Sequence, residues 1–376
     1  LIIKIKMQHM FNDNGNLMDN SKPIWLNWLE PLNYASETDN LRSYKSCNFE
    51  YHHDHRNKRD HLIEIKKQLS EQKEEIKKQF FKTSDGPLIA GLHCMLIDNL
   101  LKYLLMLGND NHHNEYETTL SIIAIGGYGR GELAPHSDID ILFLLPNKQN
   151  ESERKKDEKN VEEILYFLWD LGLRIGHSTR TIKETLYNCK YDLTFLTSLL
   201  DYRLVAGNGT LFSKFQEAFQ KLLIRSKTIN FVRKKLDEAE KRHVKFGSSR
   251  YVVEPNVKEG KGGLRDLQTL IWISKFAYKS NTILDLLKTG ALLKSELYAF
   301  AEAYRFILSV RCHLHYRSNR EDDTLATDSQ IDLAEKMNFR KKASQSSVER
   351  FMKRYFLATK TVGNLTRIFC AAIETE

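Results

Sequence analysis

The stretch IAIGGYGRGELAPHSDIDILFLLP, residues 123–146, restricts the fold of this chain more than any other. Two apolar runs, residues 119–125 and 139–145, read as short strands, and a glycine-rich turn joins them. The second run opens on Asp138, Ile139 and Asp140. A strand sends alternate side chains to the same face, so the two aspartates sit side by side. Like charges that close repel unless a cation lies between them. The stretch therefore predicts a small sheet whose edge is built to hold a cation.

The rest of the chain bounds what surrounds that sheet. With 376 residues, 41% of them hydrophobic and 28% charged, there is material for a sizeable core and two or three domains. The net charge of +8 and a pI near 9.0 suit an anionic partner, or equally an ordinary solvated surface. Five scattered cysteines, Cys47, Cys94, Cys189, Cys312 and Cys370, form no CxxC pair. That pattern fits a reduced cytoplasmic protein better than a disulfide scaffold or a zinc site. No apolar run reaches the ~18 residues of a membrane span, since MLIDNLLKYLLML is interrupted by Asp98, Asn99 and Lys102. LIIKIKM is broken by lysines and does not read as a signal peptide. The chain begins with Leu1, which leaves Met7, Met10 or Met18 as starts, or a fragment.

Along the chain, residues 1–58 are polar and irregular and read as a poorly ordered leader. Leu62, Ile65, Leu69, Ile76 and Phe80 recur at helical spacing until TSDGP breaks the pattern. A second helix is expected from Leu88 to Gly108. The charge run 151–160 reads as a solvated loop and helix start, followed by a helix over 161–171. Residues 173–181 are a third candidate strand and Asp201 to Val205 a fourth, with Asp192 and Asn208 as helix N-caps. After residue 229 nearly everything is helical in pattern, over 231–246, 264–278, 294–315 and 348–373, except the loop 251–263. The expected class is α+β. A small mixed sheet with flanking helices spans 59–228, and an all-helical domain follows over 229–376.

Gly126 and Gly127 close a buried strand, where backbone N–H groups can approach phosphate oxygens. GGYGRG has neither dinucleotide-binding nor Walker spacing. A glycine pair, a short helix and then Asp-x-Asp on a strand is the nucleotidyltransferase pattern of the DNA polymerase β type. In that scheme Asp138 and Asp140 hold Mg²⁺, with Mn²⁺ as an alternative, together with substrate phosphates. Asp201, read as a strand position, is the candidate third carboxylate, there to complete the metal site and help deprotonate the nucleophile. Lys258, Lys261 and Arg265 lie in a glycine-loosened loop. From Arg233 to Arg265 there are ten Lys or Arg against five Asp or Glu, a patch able to hold a triphosphate. Asp266 could meet a ribose hydroxyl, orient Arg265, or simply favour the helix start. His177 reads as structural, Arg180 as a phosphate or carboxylate partner, and Trp272, Phe276 and Tyr278 as core. The cluster Tyr51-His52-His53-Asp54-His55 sits in the polar leader, too isolated to make an HD phosphohydrolase site.

GGYGRGELAPHSDIDILFLL and EPNVKEGKGGLRDLQTLIW, in this order and separation, resemble the protein-PII uridylyltransferases (GlnD). HCMLIDNLLKYLL, LRIGHSTRT, DLTFLTSLLDYRLVAG and TKTVGNLTRIF are similar to that family too, so the resemblance covers residues 62–374. It implies transfer of UMP from UTP to a tyrosine hydroxyl of the trimeric regulator PII, with Mg²⁺ and release of pyrophosphate. By resemblance Gly126, Gly127 and Arg130 would embrace the triphosphate and Asp138 and Asp140 would bind the metals. Asp201 would be the third acidic position, and the loop carrying Lys258, Gly262, Gly263, Arg265 and Asp266 would complete the nucleotide pocket. Family members continue into an HD hydrolase domain and two ACT domains, and this chain stops at Glu376, before either. The resemblance thus implies the front part of a longer protein or a truncated product, acting in the cytoplasm without nucleic acid or membrane partners.

Three rivals have distinguishing features. The glutamine synthetase adenylyltransferases carry a similar GGLRD loop but favour another arrangement around the carboxylates. A non-catalytic nucleotide-binding signalling module has little need for paired metal-site acids, and metal-dependent turnover separates it from an enzyme. An RNA-binding protein would show a steep salt slope, and the chain has no RNA motif to support it.

Overall fold

The computed structural model describes residues 49, 58–107, 118–278, 290, 292–342 and 344–375. The leader expected over 1–58, with its His52–His55 cluster, lies outside the described residues apart from Phe49 and Lys58, and so do residues 108–117. The first helices, α1 (Lys58–Thr83) and α2 (Gly86–Leu107), are separated where TSDGP was expected to break them. Ser84 takes a left-handed conformation there, and Asp85 accepts from the Leu88 N–H at 3.1 Å to restart the helix. Helix α2 is long and apolar enough to cross a bilayer, yet 72% of its apolar window is buried inside the protein, against α1 and the sheet. Its interrupting Asp98 is satisfied internally, 2.6 Å from Arg203 and 2.5 Å from the Tyr128 hydroxyl.

Four strands follow: β1 (Ser121–Ala124), β2 (Ile139–Leu145), β3 (Ile175–Thr181) and β4 (Arg203–Gly207). The sheet order is β3-β2-β1-β4. β1 runs antiparallel to β2 and β4, and β2 runs parallel to β3, so the sheet is mixed as expected. A short helix, α3 (Gly126–Gly129), joins β1 to the β2 segment, and α4 (Glu151–Asp170) is the crossover between the parallel pair. Helix α4 starts ten residues before the apolar periodicity does. Its charge run is helical because Asn150 and Glu153 form a reciprocal capping box (2.8 and 3.2 Å) and Lys155–Glu151 and Arg154–Glu158 pair one turn apart. Helices α5 (Ile182–Tyr191) and α6 (Leu193–Leu199) lead to β4, and α7 (Gly209–Arg225) follows it. Asp192 and Asn208 cap α6 and α7 as their sequence positions predicted. α5 was not legible beforehand.

Five helices follow among the described residues: α8 (Thr228–Lys245), α9 (Leu264–Ala277), α10 (Lys294–Ser318), α11 (Thr327–Lys336) and α12 (Ser347–Thr375). Helix α10 packs on α2, α9 and α12, so the two parts share one apolar core. The loop before α9 is pinned to the segment after α10, where the Val257 N–H meets the Asp323 carbonyl at 2.8 Å and the Leu325 N–H meets that of Pro255 at 2.9 Å. This attachment brings Lys258 and Arg265 over the open face of the sheet.

Candidate active site

Pleating decides the orientation of the two aspartates. Ile139 and Ile141 are buried in the core, while Asp138 and Asp140, which alternate with them, face a cleft of about 380 Å³. Gly126 and Gly127 line the same cleft. Asp140 lies in register opposite Gly176 on β3. A Cβ at Gly176 would fall inside 3.0 Å of Asp140 Oδ1, and one at Gly126 would sit 3.1 Å from Oδ2. Gly126 also has φ +57°, a conformation glycine takes freely. The Asp140 carboxylate is thus slotted between two glycines. Burial, and then the charge of Asp138 beside it, raise its pKa above the usual carboxylate range, against the pull of Arg130, Lys258 and Arg265.

Cations dominate the opposite wall. Arg130, Lys235, Arg242, Lys258, Arg265 and Arg311 all line the cleft, with Glu132, Glu238, Glu259 and Glu321 among them. Lys258 lies 3.0 Å from Glu321, and Arg265 lies 3.0 Å from Glu259 and 2.9 Å from Gln268. Trp272 forms the floor, with the charges of Lys235, Arg130 and Arg265 at 4.7, 5.6 and 5.6 Å from its ring centre. Thr194, Thr197 and Ser198 of α6 contribute hydroxyls to the wall.

Several expected site residues do not line this cleft, Lys261 among them. Asp201 was read as a strand residue and third metal ligand. It occupies the turn between α6 and β4, fully buried, and its oxygens are taken by Arg130 (2.6 Å), Lys275 (2.6 Å) and the Trp272 indole (2.7 Å). Burial alone would raise its pKa, but the charges of Lys275 and Arg130 outweigh that and hold it below the usual range. With both oxygens engaged it serves as the buried tie between the sheet and α9. Asp266 likewise accepts from Arg242, from His243 at 2.9 Å and from the Gly262 N–H at 2.7 Å, and it does not line the cleft. Gly262 (φ +81°) passes so close to the Thr359 backbone that a Cβ would collide with it, and a Cβ on Gly263, the α9 N-cap, would meet the Val257 carbonyl at 2.7 Å. Gly262 makes room for the backbone of α12, and Gly263 for the carbonyls of its own loop.

Arg180 lies over the Phe195 ring, 5.4 Å away, and not in the cleft. His177 meets Trp169 edge-on at 5.8 Å on the exposed side of β3. Trp272 is buried as its helical spacing suggested, yet it also lines the cleft. Lys235 and Arg242 belong to the basic run 233–265 but were not singled out within it, and Arg311 was missed. Lys235 and Arg242 are seven residues apart on α8, one helical face, and Arg311 is a lone cation in the apolar run ILSVRCHL.

The donor set suits a hard divalent cation. Two carboxylates face one cleft side by side, and oxygen donors of this kind are what such an ion takes. Among the described residues no cluster of three His, Cys, Asp or Glu is preformed around a metal position. The other ligands of an ion held by Asp138 and Asp140 would be phosphate and water oxygens.

Comparison with known proteins agrees with this arrangement. A model of the nucleotidyltransferase domain matches residues 113–193, and a model described as GlnD PII-uridylyltransferase matches residues 230–370. The chain is 41% identical over 319 residues to a bifunctional uridylyltransferase/uridylyl-removing enzyme of Azospirillum brasilense, covering 84% of this chain and 34% of that protein. It therefore spans about a third of the length of that relative. The two matched segments lie on the two walls of one cleft, so the chain carries a nucleotidyltransferase domain followed by a segment that matches the GlnD PII-uridylyltransferase family.

Proposed function

We propose that the chain transfers UMP from UTP to a tyrosine hydroxyl of the regulatory protein PII in the bacterial cytoplasm. The acceptor oxygen bonds to the α-phosphorus as the bond to pyrophosphate breaks in line with it. The observation that carries the reading is the pair of cleft-facing carboxylates, Asp138 and Asp140, set against a wall of six cations. Lys258, Arg265 and Arg130 are the groups for a triphosphate, whose charge grows on the leaving oxygens as the bond breaks. Gly126 and Gly127 let the backbone come close to it. Mg²⁺ or Mn²⁺ held by Asp138 and Asp140 would neutralise the phosphates and lower the pKa of the acceptor hydroxyl. The sheet portion, residues 59–228, supplies the carboxylates, and the helical portion, 229–376, supplies most of the cations. The division near residue 229 belongs to the same proposal.

Label transfer from α-labelled UTP to purified PII with Mg²⁺ tests this, comparing wild type with the double variant Asp138→Ala/Asp140→Ala. Labelled PII from the wild type alone is the expected result. Label from ATP but not UTP would favour an adenylyltransferase. No transfer and no nucleotide binding would favour a non-catalytic module.

A further inference from the structure

A second cavity, of about 310 Å³, opens at the start of β2. It shares Leu133, Ser137 and Glu321 with the cleft, but the buried Ile139, not the aspartates, lines it. Because Ile139 points away from Asp138 and Asp140, the cavity lies on the other side of the strand from them. Its charged and titratable lining is Lys73, His93, His136, Arg174, Arg320 and Glu321. Three of these are permanent cations and one is an acid. Glu321 is already engaged by Lys258 (3.0 Å), Arg174 (3.2 Å) and Arg311 (3.4 Å).

Lys73 is only partly exposed and forms no hydrogen bond or ion pair among the described residues, and burial lowers its pKa. Arg320 also has no side-chain partner among them. His93 is 4% exposed, and its Nε2 meets the Tyr316 hydroxyl at 3.0 Å. Burial and the neighbouring cations push its pKa down to about 3, so it stays neutral and adds no charge. A partly buried ammonium without a countercharge is costly, and a ligand that brings one recovers the cost. The space is several times the ~30 Å³ share of a water molecule.

We propose that this cavity binds a small multivalent oxyanion of the phosphate class, and that Arg174 couples its occupancy to the metal ligand Asp138. Arg174 lines the cavity while its Nε lies 3.1 Å from Asp138 Oδ1 and its Nη2 lies 3.2 Å from Glu321. An oxyanion bound beside it competes for the guanidinium and releases Asp138 to a divalent cation. The binding site stands apart from the transferase reading, and only the link to Asp138 rests on it.

Sulfate is a suitable probe because it is divalent across the working pH range. Isothermal titration calorimetry on the whole chain, without metal or nucleotide and at constant ionic strength, should show one site with a Kd of about 1 mM. Lys73→Met should weaken it at least about tenfold, Lys73→Arg should retain it, and the cleft variant Arg265→Met should leave it unchanged. Unchanged melting temperatures would show that the variants fold. No saturable binding by the wild type, equal binding by Lys73→Met, or loss in Arg265→Met would overturn the site. Mn²⁺ binding followed by electron paramagnetic resonance reads the coupling. Sulfate should tighten it about threefold in the wild type and not in Arg174→Ala. Sulfate that binds through Lys73 yet leaves Mn²⁺ affinity unchanged would refute the link to Asp138.

Discussion

Gly176→Ala puts a single methyl group against the slot that holds Asp140. The backbone there is not in the left-handed region, so alanine brings no conformational penalty, and in a strand it should be neutral or slightly favourable. Its Cβ would lie inside 3.0 Å of Asp140 Oδ1, while ordinary contact begins at 3.4 Å. The carboxylate must therefore retreat by roughly 1 Å, and a misplacement of that size costs on the order of 10²-fold in rate. On kcat/KM that is about 2.7 kcal/mol of transition-state stabilisation. Mn²⁺ binding should weaken in parallel if, as proposed, Asp140 and Asp138 hold the ion. The assay is initial-rate label transfer from UTP over a range of Mg²⁺, with a thermal melt as the control for folding. A variant that keeps kcat/KM within about threefold and binds Mn²⁺ normally would show that Asp140 does not depend on this slot.

Other perturbations separate structural from chemical roles. Asp201→Ala leaves Lys275 without its acid and Arg130 with Glu132 alone, at 3.0 Å, and should cost about 3 kcal/mol in denaturant unfolding; a loss below 1 kcal/mol would contradict the buried tie. Because the Asp201 carboxyl is held below its unfolded value of about 3.9, its stabilisation is present above that pH and is lost as pH falls through the folded value. Asp266 and Asp323 shift the same way, so unfolding free energy should drop steeply below pH ~4, and less steeply in Asp201→Ala. Lys258→Met should raise the KM for UTP about tenfold, and an unchanged KM would remove Lys258 from the triphosphate wall. Gly262→Ala should lower the melting temperature through its collision with Thr359 while leaving the KM for UTP unchanged, and the reverse pattern would restore Gly262 to the nucleotide pocket.

What the sequence revealed depended on how far each decision reaches along the chain. The aspartate pair, the caps at Asp192 and Asn208 and the apolar faces of the later helices were legible because each is settled within a few residues by strand alternation, capping or helical period. Asp201 was not. Its surroundings, apolar on one side and aromatic on the other, suit a strand, but its fate is set by Arg130, Trp272 and Lys275, each more than 70 positions away. Asp266 was misread for a related reason. Arg242 and His243 reach it from a helix over 20 residues earlier, so a helix-start aspartate became the hub of a buried network.

Glycine makes the same point from the opposite direction. At 126 and 176 the missing side chain leaves space for a cleft carboxylate, and at 262 and 263 it leaves space for a neighbouring backbone. Nothing in the sequence separates the four, because the property glycine contributes is an absence. What fills that absence is chosen by the element packed against it. For Gly176 that element is β2, its hydrogen-bonded neighbour in the sheet, and for Gly262 it is α12, almost a hundred residues later. A glycine therefore marks where chemistry can be placed, and the register of β2 against β3 is what turns one of these into a determinant of the position of Asp140.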